Sequence, residues 1–257
     1  MKFYLGRVSD TKYVLDEIGF DVDGKYNVNV MEPFPRVSNA VGKMVPMYKS
    51  FMMDSGAFTF RNHPDRIPED IDAFIAKYTD TINKYGITKY IELDLDPIVD
   101  YDLVKEYRSK INELTGAQCI PAWHDTRGIK EFERMCEEYE YVAIGGFAKE
   151  RQPDRVNNLL PKLLDIAKRY RTKTHALGVA SLDMLKRFAF TSADSASWIY
   201  EAMHGNELIF ENGEVTKVHR EQGDPRYSSR ELKKKILSPY STFLFGQIHT
   251  YNGGKSY

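Results

Sequence analysis

The chain has 257 residues, with 36 Lys+Arg against 37 Asp+Glu and a formal net charge of −1. With 42% hydrophobic and 28% charged residues and only two cysteines, it cannot be a disordered tail, a collagen-like repeat or a disulfide scaffold. The balanced charge excludes a uniformly basic coat for nucleic acid, while leaving room for a local basic patch.

The N-terminal apolar run stops at Arg7, too short for a signal peptide, and no stretch approaches the roughly 18 continuous apolar residues of a membrane span. Cys119 and Cys136 fall inside predicted elements, which points to structural thiols in a reducing compartment. A cytoplasmic location without a membrane partner is expected.

Short β-rich runs alternate with longer helical patterns. The strand-like runs are Phe3–Arg7, Phe51–Met53, Tyr90–Leu95, Cys119–Trp123, Tyr141–Ile144, Thr174–Val179 and Phe190–Ser192. Between them lie amphipathic stretches at Pro68–Tyr85, Tyr101–Leu114, Ile129–Tyr139, Asp154–Tyr170 and Ser181–Phe188. In the first of these, Phe74, Ile75, Tyr78 and Ile82 share one helical face. Pro68 with Glu69 and Asp70 marks its start and Gly86 its end. Such alternation predicts a parallel sheet, doubly wound or closed as a (β/α)8 TIM-type barrel, with an eighth strand not evident. Asn212-Gly213 between two apolar runs predicts a small C-terminal hairpin. A basic and aromatic tail follows. The expected division is a barrel core over residues 1–205, then a hairpin and C-terminal extension over residues 206–257.

In a parallel α/β fold, reactive groups collect at the carboxyl ends of strands. Asp54 opens Asp54-Ser55-Gly56-Ala57-Phe58, where it either faces a pocket or caps the next turn. Period two puts Glu92, Asp94 and Asp96 on one face of their strand. Asp94 is the better ligand candidate, because Asp96 precedes Pro97 and suits a turn. Gly145 and Gly146 end a strand and would let a ligand lie against the backbone. Asp194 is another strand-end carboxylate, with N-capping of the segment near Ser195 as its bland alternative. Trp123 and His124 end a strand and could stack on or hydrogen-bond a base, although packing suits Trp123 better. Arg226, Arg230, Lys233 and Lys234, with interleaved aromatics, form either a footprint on a polyanion or a solvated helix face. No dinucleotide fingerprint, P-loop, nucleophile elbow or paired metal-ligand spacing is present. Neither a metal nor a cofactor is expected.

Taken together, Asp54-Ser55-Gly56-Ala57-Phe58, Ala143-Ile144-Gly145-Gly146-Phe147-Ala148, Leu177-Gly178-Val179 and Ser192-Ala193-Asp194-Ser195-Ala196-Ser197-Trp198 resemble the tRNA-guanine transglycosylase superfamily. They occur in that family's order and span about Phe51 to Trp198. The compact chain is most similar to the phage-type enzymes that place 7-deazaguanines in DNA. The resemblance implies a (β/α)8 barrel and a pentosyltransferase that exchanges a guanine in a polynucleotide for a free 7-deazaguanine base, as in queuosine-related chemistry. It matches Asp194 to the nucleophile and Asp54 to the carboxylate that assists proton transfer. Asp94 matches the reader of the guanine edge, Gly145 and Gly146 the backbone donors and pocket wall, and Leu177 and Gly178 the apolar floor. Ser55 either donates to the ligand or caps a turn, and with Phe147 and Trp123 it joins the expected substrate-binding set.

The zinc site usual in the tRNA enzymes is lacking, and Ala57 stands where many of them have a second Gly. DNA is therefore favoured over tRNA as the polymer. A zinc-less tRNA enzyme and a catalytically silent nucleic-acid-binding paralogue are the alternatives. A homodimer or a partner subunit is left open.

Overall fold

The computed structural model describes residues 1–8, 15, 21–62, 67–68, 70–96, 98–148, 153–211, 214–220 and 231–232. Seven parallel strands form one curled sheet: β1 (Lys2–Gly6), β2 (Tyr26–Pro33), β3 (Tyr48–Asp54), β4 (Ala122–Trp123), β5 (Tyr141–Ile144), β6 (Lys173–Ala176) and β7 (Ser192–Ser195). Their order is β3-β2-β1-β7-β6-β5-β4. Eight helices accompany them among the described residues: α1 (Asn39–Met44), α2 (Ala57–Asn62), α3 (Ile71–Tyr85), α4 (Tyr101–Thr115), α5 (Gly128–Glu138), α6 (Pro153–Tyr170), α7 (Leu182–Arg187) and α8 (Ser197–Met203).

The sheet is not closed by a continuous ladder. Between its edge strands β3 and β4 runs the segment at Tyr90–Ile91, held by single parallel bridges, Met53 to Tyr90 and Ile91 to Ile120. The expected barrel is thus met as a parallel α/β half-barrel. The strand that the sequence reading lacked is β2. Asn27 and Asn29 disguise it, because Asn is depleted in strands and breaks the apolar run. Inside the fold Asn29 is buried, and its side-chain amide donates to the Phe3 carbonyl at 3.1 Å.

Alternation along the strands divides the core in two. Phe3, Leu5, Val28, Val30, Phe51, Met53, Val142, Ile144, Ala176 and Ala193 pack with helix residues such as Ile75, Ile111, Phe132 and Leu163. Tyr4, Met31, Met52, Ile120, Ala122 and Ala143 point the other way into a separate cluster on the concave side. Both faces are covered, so both parities are apolar, which explains the continuous runs in the sequence.

Helix α3 shows how local signals position the site. Ile75, Tyr78, Thr79 and Ile82 form its buried stripe. It begins after Asp70, whose side chain accepts from the Ala73 N–H at 2.8 Å, rather than at Pro68. It ends at Gly86, which takes the left-handed conformation at φ 61° that favours glycine. From this helix the Tyr78 hydroxyl donates to the Ile91 carbonyl at 2.7 Å, pinning the segment that carries Asp94.

The hairpin is present as β8 (Asn206–Glu211) paired antiparallel with β9 (Glu214–His219); its Asn212-Gly213 turn lies outside the described residues. Arg226, Arg230, Lys233 and Lys234 also lie outside the described residues. Leu232 is fully buried in the main core. Among the described residues, no helix is long and apolar enough to cross a membrane.

Candidate active site

Three of the predicted carboxylates converge at the carboxyl ends of the strands. Asp54 ends β3, Asp194 lies in β7, and Asp94 follows the bridging segment between β3 and β4. Burial, then the charges of Asp94 and Asp194, push the Asp54 carboxyl up to about 7. Backbone N–H groups of Gly56 and Ser55 oppose that rise only in part, the former donating to Asp54 Oδ2 at 3.1 Å. Asp54 thus caps its turn while its carboxyl lies close enough to Asp94 and Asp194 to feel their charge. Ser55 is fully buried, and its hydroxyl caps the same turn at the Ala57 N–H, 3.4 Å away.

Asp194 does not cap a helix. The chain enters α8 through Ala196, and the N–H of Ser197 is taken by Ser195 Oγ at 3.0 Å. Asp194 Oδ1 instead accepts from the Gly178 N–H at 2.8 Å and meets His175 Nε2 at 3.2 Å. Gly178 sits at φ 69°, which turns its amide toward the carboxylate.

The strand carrying Asp94 departs from period two. Ile91 faces the concave cluster while Leu93 packs with the helices, and the Leu95 N–H bonds the Leu93 carbonyl at 3.0 Å in a tight turn. Glu92, Asp94 and Asp96 consequently part company. Glu92, fully buried, bonds Arg108 at 2.5 Å, Arg127 at 2.6 Å and the Ala122 N–H at 2.8 Å. Asp96 receives a two-pronged contact from Arg127, which holds its carboxyl below the ordinary range despite burial. Asp94 alone turns to the site, where Oδ2 meets His124 Nε2 at 2.8 Å.

His124 is the neighbour that Gly145 makes room for. A Cβ on Gly145 would fall 2.4 Å from His124 Cε1, inside van der Waals contact. This steric role corrects the expectation that Gly145 supplies a donor to the ligand: its N–H is spent on the Trp123 carbonyl at 2.8 Å. Gly146 is exposed at φ 85°, and its carbonyl accepts from Arg155 at 2.9 Å.

Two further expected contacts are corrected. Phe147 is buried beneath the Arg155 guanidinium, 4.6 Å from its ring centroid, and is packing rather than an open surface. Trp123 is buried against Phe132, and its indole N–H donates to the Gly128 carbonyl at 2.8 Å, so both its face and its polar edge are occupied. Leu177 is half-buried beside the concave cluster, next to Gly178.

Two histidines at the site carried no constellation signal in the sequence. His124 drew attention only as a strand-end residue, and His175 sits at a strand position that reads as core. Both reveal their roles through contacts between distant strands, to Asp94 and Asp194 respectively. Among the described residues, no three His, Cys, Asp or Glu side chains group to hold a metal ion.

The fold and site together define an α/β half-barrel with a protonatable carboxyl between two other carboxylates at its strand ends. No protein-family model matches the chain, and no curated protein matches it. Such an arrangement can do acid–base work at Asp54 near neutral pH while a second carboxylate attacks or stabilises a cationic centre.

Proposed function

We propose that the chain is a guanine transglycosylase, a pentosyltransferase that exchanges a guanine in DNA for a free 7-deazaguanine base. In this reading the half-barrel belongs to a (β/α)8 fold whose remaining strand is the Tyr90–Ile91 segment between β3 and β4. The observation that carries it is the convergence of Asp54, Asp94 and Asp194, with the Asp54 carboxyl raised toward neutrality first by burial and then by the other two.

Each residue has a step that suits its chemistry. An Asp194 oxygen attacks the sugar C1′ and forms an ester as the C1′–N9 bond breaks. The bonding pair leaves with guanine, which takes a proton from the Asp54 carboxyl. The incoming base returns a proton to Asp54, its N9 bonds C1′, and Asp194 departs as carboxylate. Two displacements replace one difficult step, as in retaining glycosidases. Asp94 offers acceptors for the N1–H and N2–H of a guanine or 7-deazaguanine edge. The target guanine must leave its stack to enter, a cost that pocket contacts offset.

The test is exchange of labelled guanine on double-stranded DNA and on bulk tRNA in parallel, with wild-type and Asp194→Ala proteins. Incorporation into DNA that Asp194→Ala abolishes is the expected result. Incorporation into tRNA alone selects the zinc-less tRNA enzyme. Full exchange by Asp194→Ala overturns the mechanism. Binding of polynucleotide without exchange identifies a silent paralogue.

A further inference from the structure

A line of hydrogen bonds runs from the wall of the fold to Asp194. The Tyr141 hydroxyl bonds Ser192 Oγ, Ser192 Oγ meets His175 Nδ1 at 2.5 Å, and His175 Nε2 meets Asp194 Oδ1 at 3.2 Å. His175 is fully buried, with the rings of Tyr4 and Tyr141 edge-on at 5.9 Å and 6.5 Å.

The directions of these bonds follow from the groups at the ends. A carboxylate can only accept, so the proton in the last bond sits on Nε2. In the neutral ring Nδ1 is then an acceptor, so Ser192 donates to it. The remaining contact requires Tyr141 to donate to Ser192, and burial keeps the Tyr141 phenol protonated by pushing it well above its ordinary range. Asp194 Oδ1 thereby receives two donors, His175 Nε2–H and Gly178 N–H. Among the described residues no hydrogen bond reaches Oδ2.

We propose that His175, with its tautomer set by Asp194 and its ring locked in place by Ser192 and Tyr141, is the positioning residue that ties down Oδ1 of Asp194 and leaves Oδ2 to attack the sugar. The inference rests on the reading of Asp194 as the nucleophile. His175 itself touches no reacting atom and takes no proton in the cycle. It fixes the carboxylate plane, and a misplacement near 1 Å in a nucleophile costs about a hundredfold in rate.

The experiment has one arm that needs no activity. Ring-nitrogen resonances of isotope-labelled histidine in the intact protein are expected to show His175 as the Nε2–H tautomer. An Nδ1–H tautomer or a doubly protonated ring in the wild type overturns the lock. In the second arm His175→Phe lowers kcat for guanine exchange about a hundredfold while KM for the free base stays within about twofold. His175→Gln, which restores a donor, recovers at least about tenfold of that loss.

Unchanged kcat in His175→Phe, or no recovery with Gln, overturns the positioning role. If the Phe variant does not fold, Ser192→Ala against Ser192→Thr decides in its place, with the hydroxyl expected to restore kcat. Wild-type protein inactive on both polymers overturns the transglycosylase reading, and the tautomer arm then decides the lock by itself.

Discussion

The charge of Asp194 reaches Asp54 although three strand steps separate β7 from β3 in the sheet. Neighbouring strands lie about 4.8 Å apart, so a flat sheet would hold these strands roughly 14 Å from each other. At that distance, beyond a Debye length of about 10 Å, exposed charges barely interact. Curling of the sheet turns the strand ends inward and gathers the carboxyl groups, with Asp94 arriving from the segment that bridges the two edges.

This gathering has a cost that depends on pH. The Asp54 carboxyl rises from 3.8 to about 7 on folding, first by burial and then by Asp94 and Asp194. The folded state therefore binds the proton more tightly than the unfolded chain does. The stability contributed by protonated Asp54 is complete below about pH 4 and lost as pH rises to about 7, up to about 4 kcal/mol in all. Urea unfolding at pH 5 and pH 8 should show wild type losing stability relative to Asp54→Asn across that interval. Parallel pH dependence in the two proteins would disprove the assignment. Exchange activity in Asp54→Asn should fall by about 10²–10⁴-fold, the usual worth of a general acid.

Arg127 is a structural counterpart to the site. It is 1% exposed and neutralises both Glu92, fully buried, and Asp96, while its own N–H bonds the His124 carbonyl at 2.9 Å. Removing one partner of such a group strands a buried charge. Arg127→Met should cost about 3–5 kcal/mol in chemical denaturation. Arg134→Ala is the control. Its contacts to Glu131 and Glu138 lie on a helix surface where Arg134 is 37% exposed, and its loss should cost no more than about 1 kcal/mol. Equal losses would show that burial does not set the value of these pairs.

The legible parts of the sequence are those whose signal is local. Capping residues, the buried stripe of α3 and the strand-end position of Asp54, Asp94 and Asp194 can each be read from a few neighbours. Strand β2 escapes because Asn29 earns its place only by bonding the Phe3 carbonyl of the adjacent strand. The separation of Asp94 from Glu92 and Asp96 escapes because a tight turn at Leu93–Leu95 breaks the period of two, and Arg108 and Arg127 hold the outcome from two other helical segments. His175 looks like a core residue by every local measure. Its importance lies in a contact to β7, seventeen or more residues away, which no spacing rule within its own strand can express.

Gly145 tests the geometry of the Asp94 side of the site. The imidazole of His124 occupies the space where a Cβ would stand, 2.4 Å from Cε1 and 2.6 Å from Nδ1. In Gly145→Ala the backbone is held by the bond from its N–H to the Trp123 carbonyl, so the ring rather than the strand must give way. Its displacement breaks the 2.8 Å contact to Asp94 and frees that carboxylate to rotate. Loss of a buried contact to a charged group is worth about 1.5–3 kcal/mol, so KM for the free base should rise roughly ten- to a hundredfold. The reaction at Asp194 is on other strands, and kcat at saturating base should change far less. Steady-state exchange kinetics on the variant separate the two. A collapse of kcat with unaltered KM would mean that His124 and Asp94 serve the chemical step and do not hold the base.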